Sequence, residues 1–189
     1  ASIGNCTISA SVNASNGTVT LTAKGGAIPL GFNLSFKIDR DGSVGHTGTA
    51  WIQATKQSDG SWTATVKESD IGGGTVTAQA VLSVGSATRY LSSTSFSIAG
   101  AKGSTSVTDV PASGTISVDV TGVSANSGVS GVSVGVVGNG KERWYALSQT
   151  SSGTWHVDVP VADFGTGGAT FTFTTYLNDS HGVGVRLGS

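Results

Sequence analysis

The second half of this chain repeats the first. The segment Trp51–Trp62 (WIQATKQSDGSW) aligns without a gap with Trp144–Trp155 (WYALSQTSSGTW). The flanks match as well, Thr75–Leu82 with Thr170–Leu177 and Gly17–Ala23 with Gly114–Val120. Self-similarity between the two halves of a chain means that one structural unit has been copied. We therefore predict two tandem modules of one fold within the 189 residues, each large enough for its own core.

The composition favours strands and argues against two classes of partner. Charged residues make up only 11% of the chain and there are 29 Gly, a balance that suits short strands and turns better than helices. The net charge of −1 and the pI of about 6.3 provide no basic surface for nucleic acid. No apolar run approaches the roughly 20 residues that a membrane-spanning helix requires. We expect neither a nucleic-acid partner nor insertion into a membrane.

Polar and apolar residues alternate along much of the chain, for example in Thr18–Ala23, Phe32–Ile38 and Phe171–Leu177. A period of two is typical of strands with one buried face. Gly-rich turn signals separate these segments, and they predict strands in the first module near residues 6–12, 16–23, 31–39, 48–57, 60–67, 74–84 and 88–98. The predicted fold class is all-β, with two tandem immunoglobulin-like or fibronectin-like antiparallel β-sandwich modules.

The register of the repeat sets the predicted boundaries. The first module covers residues 1–99 and the second covers 104–189, and the small residues between them form a short linker. Residues 93–98 have no counterpart before Ser189, so we expect the second module to lack the end of its last strand and the natural protein to continue. The absence of Met indicates a mature product or an excised piece.

The inward positions of these strands predict two cores. They contain Val19, Leu21, Trp51, Trp62, Val66, Val76 and Ala78 in the first module and Ile116, Val118, Trp144, Trp155, Val157, Val159, Phe171 and Phe173 in the second. The recurrence of the tryptophans in both copies favours a core role, because aromatic side chains commonly anchor sandwich cores. The alternative is that their indole faces stack on sugar rings.

The second module resembles a known family. Its segments Ile116–Ser124, Ser127–Val136, Trp144–Leu147, Gly153–Val159 and Tyr176–Gly182 are similar to the GBS Bsp-like repeats of Gram-positive bacteria. The resemblance implies immunoglobulin-like modules of secreted or surface-attached proteins, often beside peptidoglycan hydrolase domains in the same full-length chain. The first module keeps Trp51, Gly60–Trp62 and Asp70 but has Gly31–Leu34 (GFNL) in place of Ser127–Ser130 (SGVS). The family carries no catalytic residues that could be transferred.

Residues able to support catalysis are few and scattered. The histidines, His46, His156 and His181, are not shared between the modules, and none lies in a motif that pairs a base with a nucleophile. Cys6 is the single Cys, so it allows neither an intrachain disulfide nor a Cys-based zinc site. Asp70 and Asp163 occupy equivalent positions, where a carboxylate more often bonds backbone N–H groups of a turn than a metal. We predict no catalytic residues, no cofactor and no metal.

The predicted ligand contacts are exposed aromatic and loop residues of the second module. They are Tyr145, Asn139, Asn178, Asp179 and His181. The expected partner is cell-wall polysaccharide or peptidoglycan.

These observations predict a non-catalytic, extracellular tandem module of a secreted or cell-surface protein. It would bind the cell wall or act as a spacer for a peptidoglycan hydrolase or adhesin, because copied modules gain reach and avidity. Two alternatives stay open. One is an autonomous cell-wall hydrolase, and the other is a protein-binding or ice-binding adhesin segment built on Thr-rich strands such as Thr170–Thr175.

Overall fold

The computed structural model describes residues 6–26, 28–41, 47–165, 168 and 170–188. The chain divides into two compact units, 1–98 and 99–189. The division lies at the start of the predicted linker, where Ala99 has a left-handed backbone with a φ of 66°. The linker residues therefore belong to the second unit.

The first unit is built from two four-stranded antiparallel sheets. Its strands are β1 (Thr7–Asn13), β2 (Thr18–Lys24), β3 (Asn33–Asp41), β4 (Thr47–Gln53), β5 (Thr55–Lys56), β6 (Trp62–Lys67), β7 (Gly74–Val84) and β8 (Ala87–Ile98), with the short helix α1 (Glu68–Ile71) between β6 and β7. One sheet has the order β1-β2-β6-β5 and the other has the order β4-β3-β7-β8. The strands lie within a few residues of the predicted ranges.

The second unit has the same architecture. Its strands are β9 (Lys102–Val110), β10 (Thr115–Ser124), β11 (Val129–Gly138), β12 (Lys141–Ala146), β13 (Ser148–Ser151), β14 (Thr154–Pro160), β15 (Thr172–Asp179) and β16 (Gly184–Gly188), with 3-10 turns at Pro111–Ser113 and Val161–Phe164. The sheet orders are β13-β14-β10-β9 and β12-β11-β15-β16. The prediction of tandem immunoglobulin-like or fibronectin-like sandwiches is confirmed. The last strand has 5 residues, whereas β8 has 12.

The strand predicted near residues 48–57 is divided between the two sheets of the first unit, and the equivalent segment of the second unit is divided in the same way. The backbone leaves β4 at Ala54, whose N–H donates to the carbonyl of Leu34 at 2.9 Å, and then continues as β5 in the opposite sheet. Leu147 makes the same bond to Val132 at 2.9 Å between β12 and β13. Ala54 and Leu147 are both buried, so each fixes the crossing point by burial as well as by a hydrogen bond.

Each unit has its own core on the inward-facing residues. The prediction is confirmed for the fully or nearly fully buried Val19, Leu21, Val76, Ala78, Ile116, Val118 and Val159. Trp155, Val157, Phe171 and Phe173 are half-buried and pack against the core of the second unit. In the first unit, Trp62 and Val66 are also half-buried.

The core prediction is wrong for Trp51 and Trp144, which are 54% and 53% exposed. Side chains of directly opposed residues lie on the same face of an antiparallel pair. Trp51 is opposite Lys37 and Trp144 is opposite Gly135, and both positions lie on the outer face, because the buried residues of β3 and β11 alternate with them. The neighbours Ile52 and Tyr145 take the inward positions instead.

Helical segments within the described ranges are four residues or shorter. None is long and apolar enough to cross a membrane.

Candidate functional site

The structure does not bring the predicted contact residues together. Asn139 follows β11 in the turn to β12, whereas Asp179 pairs with Val129 at the opposite end of the same strand. A ten-residue strand at about 3.3 Å per residue separates the two loops by roughly 30 Å. The predicted contact region is therefore not one surface.

Tyr145 lies on the inner side of β12 and is half-buried against the core. Its hydroxyl donates a hydrogen bond to Oδ2 of Asp163 at 2.7 Å. Burial, with help from this carboxylate, raises the pKa of Tyr145 to about 12. The sequence predicted that Asp163 bonds turn N–H groups, and within the described residues its carboxylate accepts the hydroxyl of Tyr145.

Asp179 is fully buried and its carboxylate is used within the β15–β16 turn. Oδ1 accepts the backbone N–H groups of His181 at 2.9 Å and Val183 at 2.8 Å, and Oδ2 accepts the hydroxyl of Ser127 at 3.1 Å. A buried carboxylate that satisfies two backbone donors fixes the shape of a turn. Its role is structural.

The other loop residues are placed by local bonds. Asn139 has a φ of 50°, and its side-chain amide donates to the carbonyl of Phe164 at 3.0 Å. Asn178 is exposed on β15, opposite Gly184 of β16. His181 is half-buried in the turn that follows.

The exposed indole of Trp144 is held on the outer face of the β12-β11-β15-β16 sheet by three neighbours. It lies over Gly135, where an added Cβ would come within 2.9 Å of the Cη2 atom of the ring. Its Nε1 donates to Oε1 of Glu142 at 2.9 Å, and the ring of Tyr176 is 5.3 Å away between centroids at an interplanar angle of 42°. The indole is fixed in orientation, yet half of its surface is open.

The equivalent face of the first unit has different chemistry. Trp51 is opposite Lys37, not a glycine. The Nζ of Lys37 lies 5.8 Å from the ring centroid of Tyr90 and 3.9 Å from Oδ2 of Asp39. Tyr90 is 53% exposed. The residue opposite the tryptophan is therefore the charged Lys37 in the first unit, whereas in the second unit it is Gly135, beside the aromatic pair Trp144 and Tyr176.

The exposed position of Trp144 was not predicted, because the recurrence of the tryptophans in both modules was interpreted as a sign that they are buried. A sequence signal for it exists in β11. There Val132, Val134 and Val136 are large and apolar, whereas Ser133 and Gly135 between them are small. Small residues at alternate positions leave room for a large side chain from the neighbouring strand, which is where Trp144 lies.

His156 bridges two carboxylates on the outer face of the β13-β14-β10-β9 sheet. Its Nδ1 is 2.8 Å from Oδ1 of Asp119 and its Nε2 is 3.1 Å from Oδ1 of Asp158. The bond to Asp119, with a smaller contribution from Asp158, raises the pKa of His156 above its ordinary value of 6.5. Both ring nitrogens are engaged, so this imidazole is not free to activate a nucleophile. His46 lies outside the described residues.

Two other residues that the sequence offered for a functional role, Cys6 and Thr175, are buried. Cys6 is buried, and burial raises the pKa of its thiol, which keeps it in the unreactive form. Thr175 of the Thr-rich segment is fully buried and its hydroxyl lies 2.7 Å from that of Thr105. Thr175 therefore faces inward, whereas Thr170 and Thr172 are exposed and Thr174 is half-buried.

No protein-family model and no curated protein matches this chain. Among solved structures it is similar to a tetra-tandem repeat from the extending region of a large adhesion protein, with 16% identity and a TM-score of 0.41, over 98% of this chain and 48% of that one. It is also similar to the FN1–FN3 domains of chicken CNTN1, with 11% identity and a TM-score of 0.39, over 100% of this chain and 68% of that one. A third similar structure is that of a 1.5-MDa bacterial ice-binding adhesin, with 19% identity and a TM-score of 0.32. The match covers 99% of this chain and 64% of that one.

The chain thus spans about half the length of the adhesion-protein structure, of which it covers 48%.

Proposed function

We propose that this chain is a non-catalytic tandem module of an extracellular bacterial surface or secreted protein, related to the GBS Bsp-like repeats. In this proposal it binds cell-wall polysaccharide weakly at each module and positions other domains of its full-length chain. The observation that carries the proposal is the pair Trp51 and Trp144. They occupy equivalent strand positions on the outer faces of two copied sandwiches, and both are more than half exposed.

An exposed indole is a common means of holding a ligand, because Trp combines a large contact area with a polar N–H group. A single exposed apolar side chain is ordinary. The same residue exposed at the same place in both copies is less ordinary, since a duplicated fold has no need of a large apolar side chain on its outer face. Repetition of the feature supports repeated contact with a repetitive polymer.

Two weak contacts in one chain act together. Once one module is bound, the other meets the polymer at a raised effective concentration, so the affinity of the pair exceeds that of either module without any new contact. The loss of one contact therefore has a larger effect on retention than its own strength suggests.

The test is retention of the full chain on purified Gram-positive cell walls, compared with Trp51→Ala, Trp144→Ala and the double variant. We expect each single variant to lower the apparent affinity by at least about tenfold and the double variant to be lost from the walls. The matched control is Leu30→Ala, which also removes a large exposed apolar side chain, 94% exposed, but outside both strand faces. The control should be retained like the parent.

Equal retention of the parent and the tryptophan variants would contradict the proposed contacts. Failure of the parent to bind would contradict wall binding and leave the modules as spacers. Clearing of a peptidoglycan suspension by the parent would instead establish the hydrolase alternative.

A further inference from the structure

We propose that the Trp144 face of the second unit binds a pyranose ring of a β-linked polysaccharide. The Trp144 face consists of Trp144, Gly135, Glu142, Thr174 and Tyr176. This inference rests on the proposed function and deepens it, because it names the chemical class of the ligand and the side chains that hold it.

The indole is organised before any ligand arrives. Its ring lies against the backbone at Gly135, its N–H group is bonded to Glu142, and Tyr176 limits its movement on one side. A side chain that is already fixed loses little conformational freedom on binding, so more of the contact energy appears as affinity.

The surroundings of the indole suit a sugar better than an apolar protein surface. Thr174 lies opposite Gly135 on the other side of β11, and Arg186 lies opposite Tyr176. Thr174 carries a hydroxyl, Arg186 is exposed, and Glu142 is a carboxylate at the indole edge. The open aromatic surface is thus small and is surrounded by hydrogen-bonding groups, in the way that specific polar groups surround the apolar part of a ligand site.

A β-linked pyranose with equatorial substituents matches this arrangement. Its axial C–H bonds form an apolar face that stacks on an indole, and its hydroxyl groups project around the ring edge. Glu142 accepts the indole N–H through Oε1, which leaves lone pairs of the carboxylate for a sugar hydroxyl. The apolar side chains of this face are Trp144, the half-buried Tyr176 and the exposed Val137 of β11. A protein partner would need a larger apolar patch than these three.

The first unit supplies an internal comparison. Lys37 takes the position of Gly135 opposite the tryptophan, so the backbone beneath Trp51 is not open to the indole in the same way. We therefore assign the stronger pyranose site to the second unit and a weaker polymer contact to Trp51.

The experiment is a titration of the full chain with a hexamer of β-1,4-linked N-acetylglucosamine, followed by NMR of the indole N–H signals of its 4 tryptophans. We expect a saturable shift of the Trp144 signal, with the signals of the half-buried Trp62 and Trp155 unchanged. Trp144→Ala should abolish the binding, and thermal scans of the variants check that the fold is retained.

A second variant tests the placement of the indole and not only its presence. Gly135→Ala keeps Trp144 but puts a methyl group 2.9 Å from the ring, so the indole must tilt and the affinity should fall by at least about tenfold. Gly131→Ala on the same strand is the matched control, because its Cβ meets nothing within 4 Å. Gly131→Ala should bind like the parent.

Several results would overturn the inference. They are the absence of any saturable shift in the parent, binding by Trp144→Ala equal to that of the parent, and equal effects of Gly135→Ala and Gly131→Ala. Wall retention distinguishes this inference from the proposed function. Retention that depends on the tryptophans, without binding of the hexamer, rejects the pyranose site alone, whereas hexamer binding without retention rejects the wall-binding role alone.

Discussion

His156 is a titratable residue of this chain that links two strands and so contributes to stability. Its imidazole, 30% exposed, joins β14 to β10 through Asp119 and bonds Asp158 on its own strand. Ion pairs on a half-exposed surface contribute modestly to the free energy of unfolding. Where one partner is a histidine, this contribution depends on pH.

The first prediction follows from the raised pKa of His156. A folded-state pKa above the ordinary 6.5 means that protonated His156 stabilises the fold fully below that value, and that this stability is lost as the pH rises through the folded-state pKa. We expect the free energy of unfolding to decrease between about pH 6 and pH 8 in urea titrations. His156→Gln should remove most of this decrease, and Asp119→Asn should reduce it more than Asp158→Asn. An unchanged pH dependence in His156→Gln would show that other groups are responsible.

At the scale of one element, two glycines of β11 leave room for aromatic rings, one on each face of the strand. Gly135 is covered by Trp144 on the outer face, and Gly138 is covered by Phe171 on the inner face. Phe171 in turn packs edge-to-face on the fully buried Phe164, with 5.3 Å between ring centroids and an interplanar angle of 87°. A glycine in a strand often marks such a close approach.

The second prediction concerns Gly138→Ala. A Cβ at this position would overlap the ring of Phe171, which is held by Phe164, so the aromatic pair has to shift. We expect the substitution to cost about 1–3 kcal/mol in the free energy of unfolding of the second unit. Gly131→Ala, on the same strand but with open space around its Cβ, should be neutral or slightly stabilising. Equal stability of the two variants in denaturant titrations would show that Phe171 moves without cost.

At the scale of the whole molecule, the fold is two closed units. Each unit has two four-stranded sheets and an apolar core, and each strand of the described ranges pairs with strands of its own unit. Units of fewer than a hundred residues bury enough apolar surface to fold, although with modest stability.

The third prediction is that residues 1–98 and residues 99–189, produced separately, each unfold in one cooperative transition. The reason is that, in the described part of the chain, the strands of each sheet come from one unit and each unit has its own buried apolar side chains. Circular dichroism melting and dispersed amide NMR signals provide the measurement, with the intact chain as the reference. A unit without a cooperative transition would show that it depends on its neighbour for stability.

Much of the fold follows from short-range sequence patterns, but the candidate site does not. Strand positions were predictable because alternation reports directly which residues face a core. The division of one strand at Ala54 and again at Leu147 was not, because a change of sheet depends on a bond to a residue far away in sequence. The Trp144 face depends in the same way on the pairing of β11 with β12 and β15, which brings together residues from three strands.

The sequence by itself determined that this protein is two copies of an all-β sandwich, because the repeat and the period of two are local properties of the chain. Only the tertiary structure decided that Trp51 and Trp144 are exposed while Tyr145 faces inward and Asp179 is buried. Adjacent strand residues face opposite sides, so a shift of one position exchanges core and surface. Which side is the core is fixed by the pairing of strands and the packing of two sheets, and no short segment contains that information.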